Sequence, residues 1–271
     1  MLESTHFVPS NEGERLLGVK RNLFFYYVKS GQIRVKPGTA EQARQLYSYE
    51  DILTVRDKRN KKKKKPEVSI DWMRIPDMPN TLKLDFLVFE EASVHIGDIN
   101  LYISWLKRNP YLTLTAFDAS DRSQVLAYIS LLPLPEKVIL EVLRHERTET
   151  DIRAEEIETY DREGGYTLLA EGAVAHPDHA EQLSAVLRRF VTYWCDHYPQ
   201  RYIEKIYAQA ATEKGDVLIQ KLYFAPLYHL ADDAYLLDLR RKGASKIIQH
   251  YQACIEQTQQ SLQQRASEVQ V

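Results

Sequence analysis

Three consecutive positions near the start of the chain, Lys20, Arg21 and Asn22, are of the types that contact phosphates and base edges. They lie off an apolar series made by Val19, Phe24, Tyr27 and Val28, so they face outward. Phe25 and Tyr26 also point away from that series, towards DNA or a partner. Arg34, Lys36 and Arg44 follow as phosphate or minor-groove candidates. Such contacts add affinity and salt dependence rather than sequence reading. Other chemistry is sparser. His176 and His179 straddle Pro177 and have no plausible third ligand nearby, so no metal site is expected. Cys195 and Cys254 are far apart on predicted helices and suggest neither a disulfide framework nor a zinc pattern. No Ser-His-Asp or Cys-His arrangement can be placed, and Trp72, Trp105 and Trp194 fall on apolar faces and read as core.

The elements around the basic residues are a pair of short helices. Ser10 can cap a helix carrying Leu16 and Leu17, and Gly18 breaks it. A second helix runs from Lys20 to Lys29, and Gly31 ends it in the left-handed conformation that glycine adopts cheaply. Two short helices across a glycine-containing turn predict a helix-turn-helix. Arg34 to Lys36 and Gln45 to Tyr47 pair across a loop at Pro37-Gly38, and Ser48-Tyr49-Glu50-Asp51 forms a capping box. Taken in order, Ser10, Glu12, Leu17-Gly18-Val19, Arg21, Phe24 to Val28, Gly31 with Ile33, the basic stretch Arg34 to Arg44 and the capping box resemble the MerR/excisionase-type winged helix-turn-helix domains. The resemblance implies binding to double-stranded DNA, with the helix from Lys20 to Lys29 in the major groove.

Charge is unevenly distributed. The net charge of −2 over 271 residues argues nothing by itself. Residues 1–66, however, hold 15 Lys/Arg against 7 Asp/Glu, leaving the remainder strongly acidic. A basic head on an acidic body is the asymmetry of a fused nucleic-acid module. Lys58 to Lys65 then predict an extended, self-repelling linker before Pro66. No stretch approaches the ~18 apolar residues of a membrane span, and the first residues lack the pattern of a secretory signal. A cytoplasmic, nucleoid-associated protein of a prokaryote is the expectation.

Beyond Val68 the periodicity changes. Val68 to Trp72, Leu82 to Phe86, Tyr111 to Phe117, Val125 to Leu132, Gly165 to Val174, Ile203 to Ala211 and Tyr235 to Leu239 read as strands. Asp98 to Arg108, Pro135 to His145, Pro177 to His197 and Glu213 to Leu222 read as helices, and the mixture predicts an α/β layer. The strand-loop-helix at Leu168 to Phe190 with Val174-Ala175-His176-Pro177-Asp178, the segment Ile206 to Thr212, and Leu218 to Phe224 resemble the GNAT-type N-acetyltransferase fold. The resemblance implies acetyl-CoA as cofactor, held near Val174, Gln182, Leu183 and Ser184 at a helix N-terminus. It also implies Glu171 as general base, with Tyr223 standing near the family's thiolate-protonating Tyr, whose own position is Ile219 here. The segment Asp178 to Ala185 lacks the family's glycines and arginine, and Glu181 brings negative charge to the phosphate position.

Ile248, Tyr251, Ile255, Thr258 and Leu262 make a heptad-like seam in a Gln-rich terminal helix, which either docks on its own domain or contacts a second copy. The expected organisation is multidomain α+β and α/β. Residues 1–57 are a winged helix-turn-helix, 58–67 a Lys-rich linker, 68–242 a GNAT-like mixed-sheet α/β domain, and 243–271 a C-terminal helix. The leading functional expectation is a sequence-specific DNA-binding regulator whose second domain senses a small-molecule effector or mediates assembly. The alternative is an acetyl-CoA-dependent N-acetyltransferase carrying a DNA-targeting helix-turn-helix.

Overall fold

A computed structural model describes residues 6–37, 45–60, 67–89, 96–210, 212–243 and 245–269. The chain forms two compact units, residues 1–67 with 85–92, and residues 68–84 with 93–271.

In the first unit, β1 (Phe7–Val8) leads into α1 (Ser10–Leu17) and α2 (Arg21–Lys29), followed by β2 (Val35–Lys36), β3 (Leu46–Ser48) and α3 (Tyr49–Asn60). The strands form a small antiparallel sheet in the order β1-β3-β2, with Val35 opposite Tyr47. Gly18 turns the chain between the helices at φ 67°, where a side chain would be strained. Leu17, Leu23, Phe24, Tyr27, Ile33, Ile52 and Val55 supply the core. Two expectations are corrected. Pro9, not Ser10, is the N-cap of α1, and no side chain caps it, because Ser10 is already helical. Lys58 and Arg59 belong to the last turn of α3 rather than to an extended linker, since cations are favoured at a helix C-terminus and Arg59 Nη1 donates to the Leu17 carbonyl. Residues 61–66 of that linker lie outside the described residues.

The second unit is built on a seven-stranded mixed sheet. Its elements are β4 (Val68–Trp72), α4 (Met78–Val88, of which residues 85–88 are counted with the first unit), α5 (Ile96–Arg108), β5 (Thr113–Asp118), β6 (Asp121–Pro133), α6 (Glu136–Leu143), β7 (Gly164–Ala175), α7 (Gln182–His197), β8 (Arg201–Gln209), α8 (Glu213–Lys221), β9 (Ala225–Pro226), β10 (Ala234–Asp238) and α9 (Lys246–Val269). Strand order is β4-β5-β6-β7-β8-β10-β9, with β7 and β8 parallel and the other pairs antiparallel. The long α7 crossover is what a parallel pair requires. One face of the sheet packs Val186, Phe190, Val191 and Trp194 of α7 with Ile248 and Tyr251 of α9. The other packs Met78, Trp105, Leu106, Val138, Ile139 and Val142 of α4, α5 and α6. This is the mixed α/β architecture expected of the larger domain.

Three further expectations change. Leu82 to Phe86 is helical rather than a strand, because Met78, Thr81, Leu84 and Leu87 are the buried positions and recur every three residues. Cys195 and Cys254 are joined in a disulfide, their Cα atoms 6.0 Å apart, because α7 and α9 pack side by side. The first half of the terminal seam is used within the unit, Tyr251 donating its hydroxyl to the Ile203 carbonyl, while Leu262 is exposed.

Candidate active site

The site grows from one irregularity in the sheet. Along β6 and β7, Ser130 lies opposite Gly172 and Leu131 opposite Ala170, so Glu171 is an extra residue in a β-bulge. Bulges re-aim a side chain while keeping the strand in the sheet. The carboxylate of Glu171 accepts a hydrogen bond from the Tyr102 hydroxyl of α5 at 3.2 Å and is also hydrogen-bonded by Ser130, which is buried on β6. Loss of solvent raises its pKa, and these two hydrogen bonds oppose the shift without cancelling it.

A second carboxylate shares the region. Glu149 opens a one-turn 3₁₀ helix, Glu149–Asp151, and is half-buried. Its pKa is pushed up to about 8, first by loss of solvent and then by the charge of Glu171. Glu149 escaped the sequence reading. It sits in a polar run without periodicity, and only the Thr148-x-x-Asp151 capping pattern marks the turn.

Beside Glu171 the sheet opens. Pairing of β7 with β8 ends at Ala170 opposite Ala208, while β7 continues to pair with β6 as far as Ala175. The backbone from Glu171 to Ala175 therefore has β6 on one side and, among the described residues, no paired strand on the other. β8 instead turns to β10, with Gln209 opposite Ala234. This opening lies at the C-terminal ends of the two parallel strands, where open α/β sheets bind ligands. Val174, named as a cofactor contact, lies on this stretch with its side chain buried.

After β7, His176 caps a short 3₁₀ turn, its Nδ1 accepting from the Asp178 N–H at 3.1 Å, and α7 begins at Gln182. Glu181 is the N-cap of α7 and no side chain caps it; the Leu183 N–H donates to the Ala180 carbonyl at 3.4 Å, and the other N–H groups of the first turn keep their capacity for an anion. Gln182 is buried, Leu183 half-buried and Ser184 exposed. Acetyl-CoA suits the opening, where an extended chain with amides would meet free strand backbone. Its diphosphate end would meet N–H groups flanked by Asp178 and Glu181 rather than by a basic side chain.

Tyr223 follows α8 in the left-handed region at φ 62°, with 62 % of its surface exposed. That backbone conformation is one that glycine adopts at little cost and other residues rarely do. The position implied for the thiolate-protonating residue, Ile219, is buried. Glu171 is thus joined by Tyr102 and Ser130.

The candidate DNA-binding residues of the first unit are dispersed among structural contacts. Lys20 is the N-cap of α2, and Arg21 lies over the Phe25 ring. Asn22 is half-buried and Tyr26 exposed. Phe25 does not project freely. Its ring is half-buried, edge-on to Phe24 and Tyr47, because the aromatic run is too dense for one helix face. Arg34 is committed to Asp51 through Nε at 2.8 Å and Nη2 at 3.0 Å, and Lys36 lies over Phe7. Asp51 thereby leaves the capping box half made, its own N–H donating to Ser48 Oγ. Arg44 lies outside the described residues.

No family model matches the chain, and no curated protein matches it. Several solved structures do. The loading GNATL domain of CurA from Lyngbya majuscula is 12 % identical, covering 65 % of this chain and 100 % of that one, with a TM-score of 0.43. AtaTR bound with AcCoA is 12 % identical, covering 64 % and 93 %, with a TM-score of 0.37. The NatB acetyltransferase complex bound to CoA and MES is 13 % identical, covering 62 % and 95 %, with a TM-score of 0.36. These neighbours correct the leading functional expectation. They are described as a GNATL domain and as acetyl-CoA- or CoA-bound proteins, and none of them as a sequence-specific DNA-binding regulator. Double-stranded DNA and nucleoid association find no support in them. No helix among the described residues is long and apolar enough to cross a membrane.

Proposed function

We propose that this chain is an acetyl-CoA-dependent N-acetyltransferase whose general base is Glu171. The observation that carries the reading is the bulge, which sets a desolvated carboxylate at the point where β7 parts from β8. A carboxylate held above its ordinary pKa is a better base towards an ammonium group near neutral pH. Tyr102 and Ser130 fix its orientation through hydrogen bonds.

In the proposed reaction, Glu171 takes a proton from the acceptor ammonium. The freed lone pair attacks the thioester carbonyl, the C–N bond forms, and the C–S bond breaks with its electron pair on sulfur. The thiolate then takes the second amine proton. The first turn of α7 offers backbone N–H groups to the diphosphate, and the free edge of β7 offers N–H and C=O groups to the extended arm.

The test is calorimetric titration with acetyl-CoA, followed by an assay of thiol release with a panel of primary amines. Binding tighter than ~100 μM, about −5.5 kcal/mol, is expected. Glu171→Gln should retain that affinity and lose turnover by about 10²- to 10⁴-fold. Absence of acetyl-CoA binding refutes the reading.

A further inference from the structure

The hydrogen bonds that aim Glu171 continue beyond Ser130. Strands β5, β6 and β7 lie side by side in the sheet. Thr113 of β5 is directly opposite Ser130 of β6, and Ser130 is opposite Gly172, next to Glu171 in the bulge of β7. Residues paired across strands in this way present their side chains on one face. The Thr113 hydroxyl donates to Ser130 Oγ at 3.1 Å, and both residues are buried. A row of Thr113, Ser130 and Glu171 therefore crosses three strands, and the Tyr102 hydroxyl of α5 meets its carboxylate end at 3.2 Å.

The hydroxyl inventory gives this row a direction. A serine has one proton to donate and two lone pairs to accept with. Thr113 occupies one lone pair, so Ser130 does not turn its proton back towards β5 and gives it to the carboxylate. A donor entering the serine oxygen also polarises its O–H, which strengthens the bond that follows. Thr115, two positions further along β5, is the contrast. Its Oγ1 is also buried and has no hydrogen-bond partner among the described residues.

We infer that Thr113 is a positioning residue for the transfer, acting through Ser130 to fix the Glu171 carboxylate at the bulge. The inference rests on the acetyltransferase reading. Thr113 touches neither acceptor nor thioester in it, and its effect is on how firmly the base is held and how readily it stays ionised. A bond donated to a carboxylate favours the charged form. Loss of the Thr113 hydroxyl weakens Ser130 as a donor and so moves the Glu171 pKa up. Tyr102 of α5 bonds to Glu171, Glu149 feels its charge, and the Tyr128 ring of β6 lies against Gly172; the variants below leave all three in place.

The experiment uses the full chain with ¹³C at its Glu carboxyl carbons, the Glu171 signal being assigned by its loss in Glu171→Gln. Thr113→Val, which keeps the shape and removes the hydroxyl, should move the Glu171 titration to higher pH, and Thr113→Ser, which keeps the hydroxyl, should return it. Ser130→Ala should move it further. Adding Thr113→Val to Ser130→Ala should move it no more, because the threonine acts only through the serine. Thr115→Val should leave the signal where it is. Thiol release with n-butylamine, spermidine and a peptide with a free N-terminus should lose about tenfold in kcat in Thr113→Val, at unchanged affinity for acetyl-CoA. The inflection of its pH profile should shift upward with the carboxyl signal. A Glu171 signal unmoved in Thr113→Val, or moved as far again in the Ser130→Ala background, overturns the inference. If acetyl-CoA does not bind, the functional reading fails, and the carboxyl titration of the unliganded chain still decides whether Thr113 acts on Glu171. If acetyl-CoA binds and Thr113→Val titrates as the wild type does, the inference fails and the reading stands.

Discussion

Glu171 owes its orientation to one inserted residue and its basicity to lost solvent, and these have separate costs. A carboxyl group with a raised pKa keeps its proton in the folded chain where the unfolded chain has released it. For Glu149 the window runs from the ordinary value of 4.5 up to about 8. Across it the folded state binds more protons than the unfolded state, so stability falls as pH rises. Glu149→Gln should therefore raise the melting temperature at pH 8 and change it little at pH 4, as read by calorimetric scans of wild type and variant. An equal effect at both values would mean that Glu149 is not protonated near neutrality. Glu156 runs the opposite way. Its pKa is lowered to about 2, mainly by its hydrogen bond with Arg147, so its contribution is present above pH 4.5 and is lost as pH falls towards 2.

At the scale of elements, the turn carrying Glu149 depends on Arg147, whose guanidinium joins Glu141, Glu156 and the Asp151 carbonyl. Glu156 keeps only 15 % of its side-chain surface, so removing its partner leaves a poorly solvated charge. Arg147→Ala should lower unfolding free energy by about 2–3 kcal/mol in urea titration. In the first unit, a Cβ on Gly13 would come within 2.6 Å of the Phe24 ring, which is fully buried. Gly13→Ala should cost about 1–3 kcal/mol, because a packed core resists an added methyl group.

The same scale explains what could be read in advance. Strands such as Val125 to Leu132 and the amphipathic α7 were legible because burial imposes a period on consecutive residues. Leu82 to Phe86 misled because its short alternation of apolar and polar residues hides the three-residue recurrence of Met78, Thr81, Leu84 and Leu87. Glu171 could be named through resemblance alone, since a bulge is a relation between two strands and leaves no local mark. Glu149 could not be named at all. Its place depends on Trp105 holding Ile152, a contact across 47 positions. The cysteine pair was misjudged for a related reason, because 59 intervening residues conceal the contact of α7 with α9.

For the molecule as a whole, that disulfide ties the terminal helix to the crossover whose first turn faces the crevice. By the chain-entropy account a loop of this length is worth about 4 kcal/mol, less any native strain. Reduction, or Cys254→Ser, should lower the urea midpoint accordingly, and an unchanged midpoint would show that the bond is not formed in solution. The parting of β7 from β8 has a different consequence. Two half-sheets that share only part of a seam can breathe against each other, and amides along the gap lack the protection of neighbours inside the ladder. A guest lying in that gap would stitch the halves together by standing in for the missing stretch of strand. Hydrogen exchange should then slow on both banks at once, at Gly172 to Ala175 and at Gln209, rather than only where the guest makes contact.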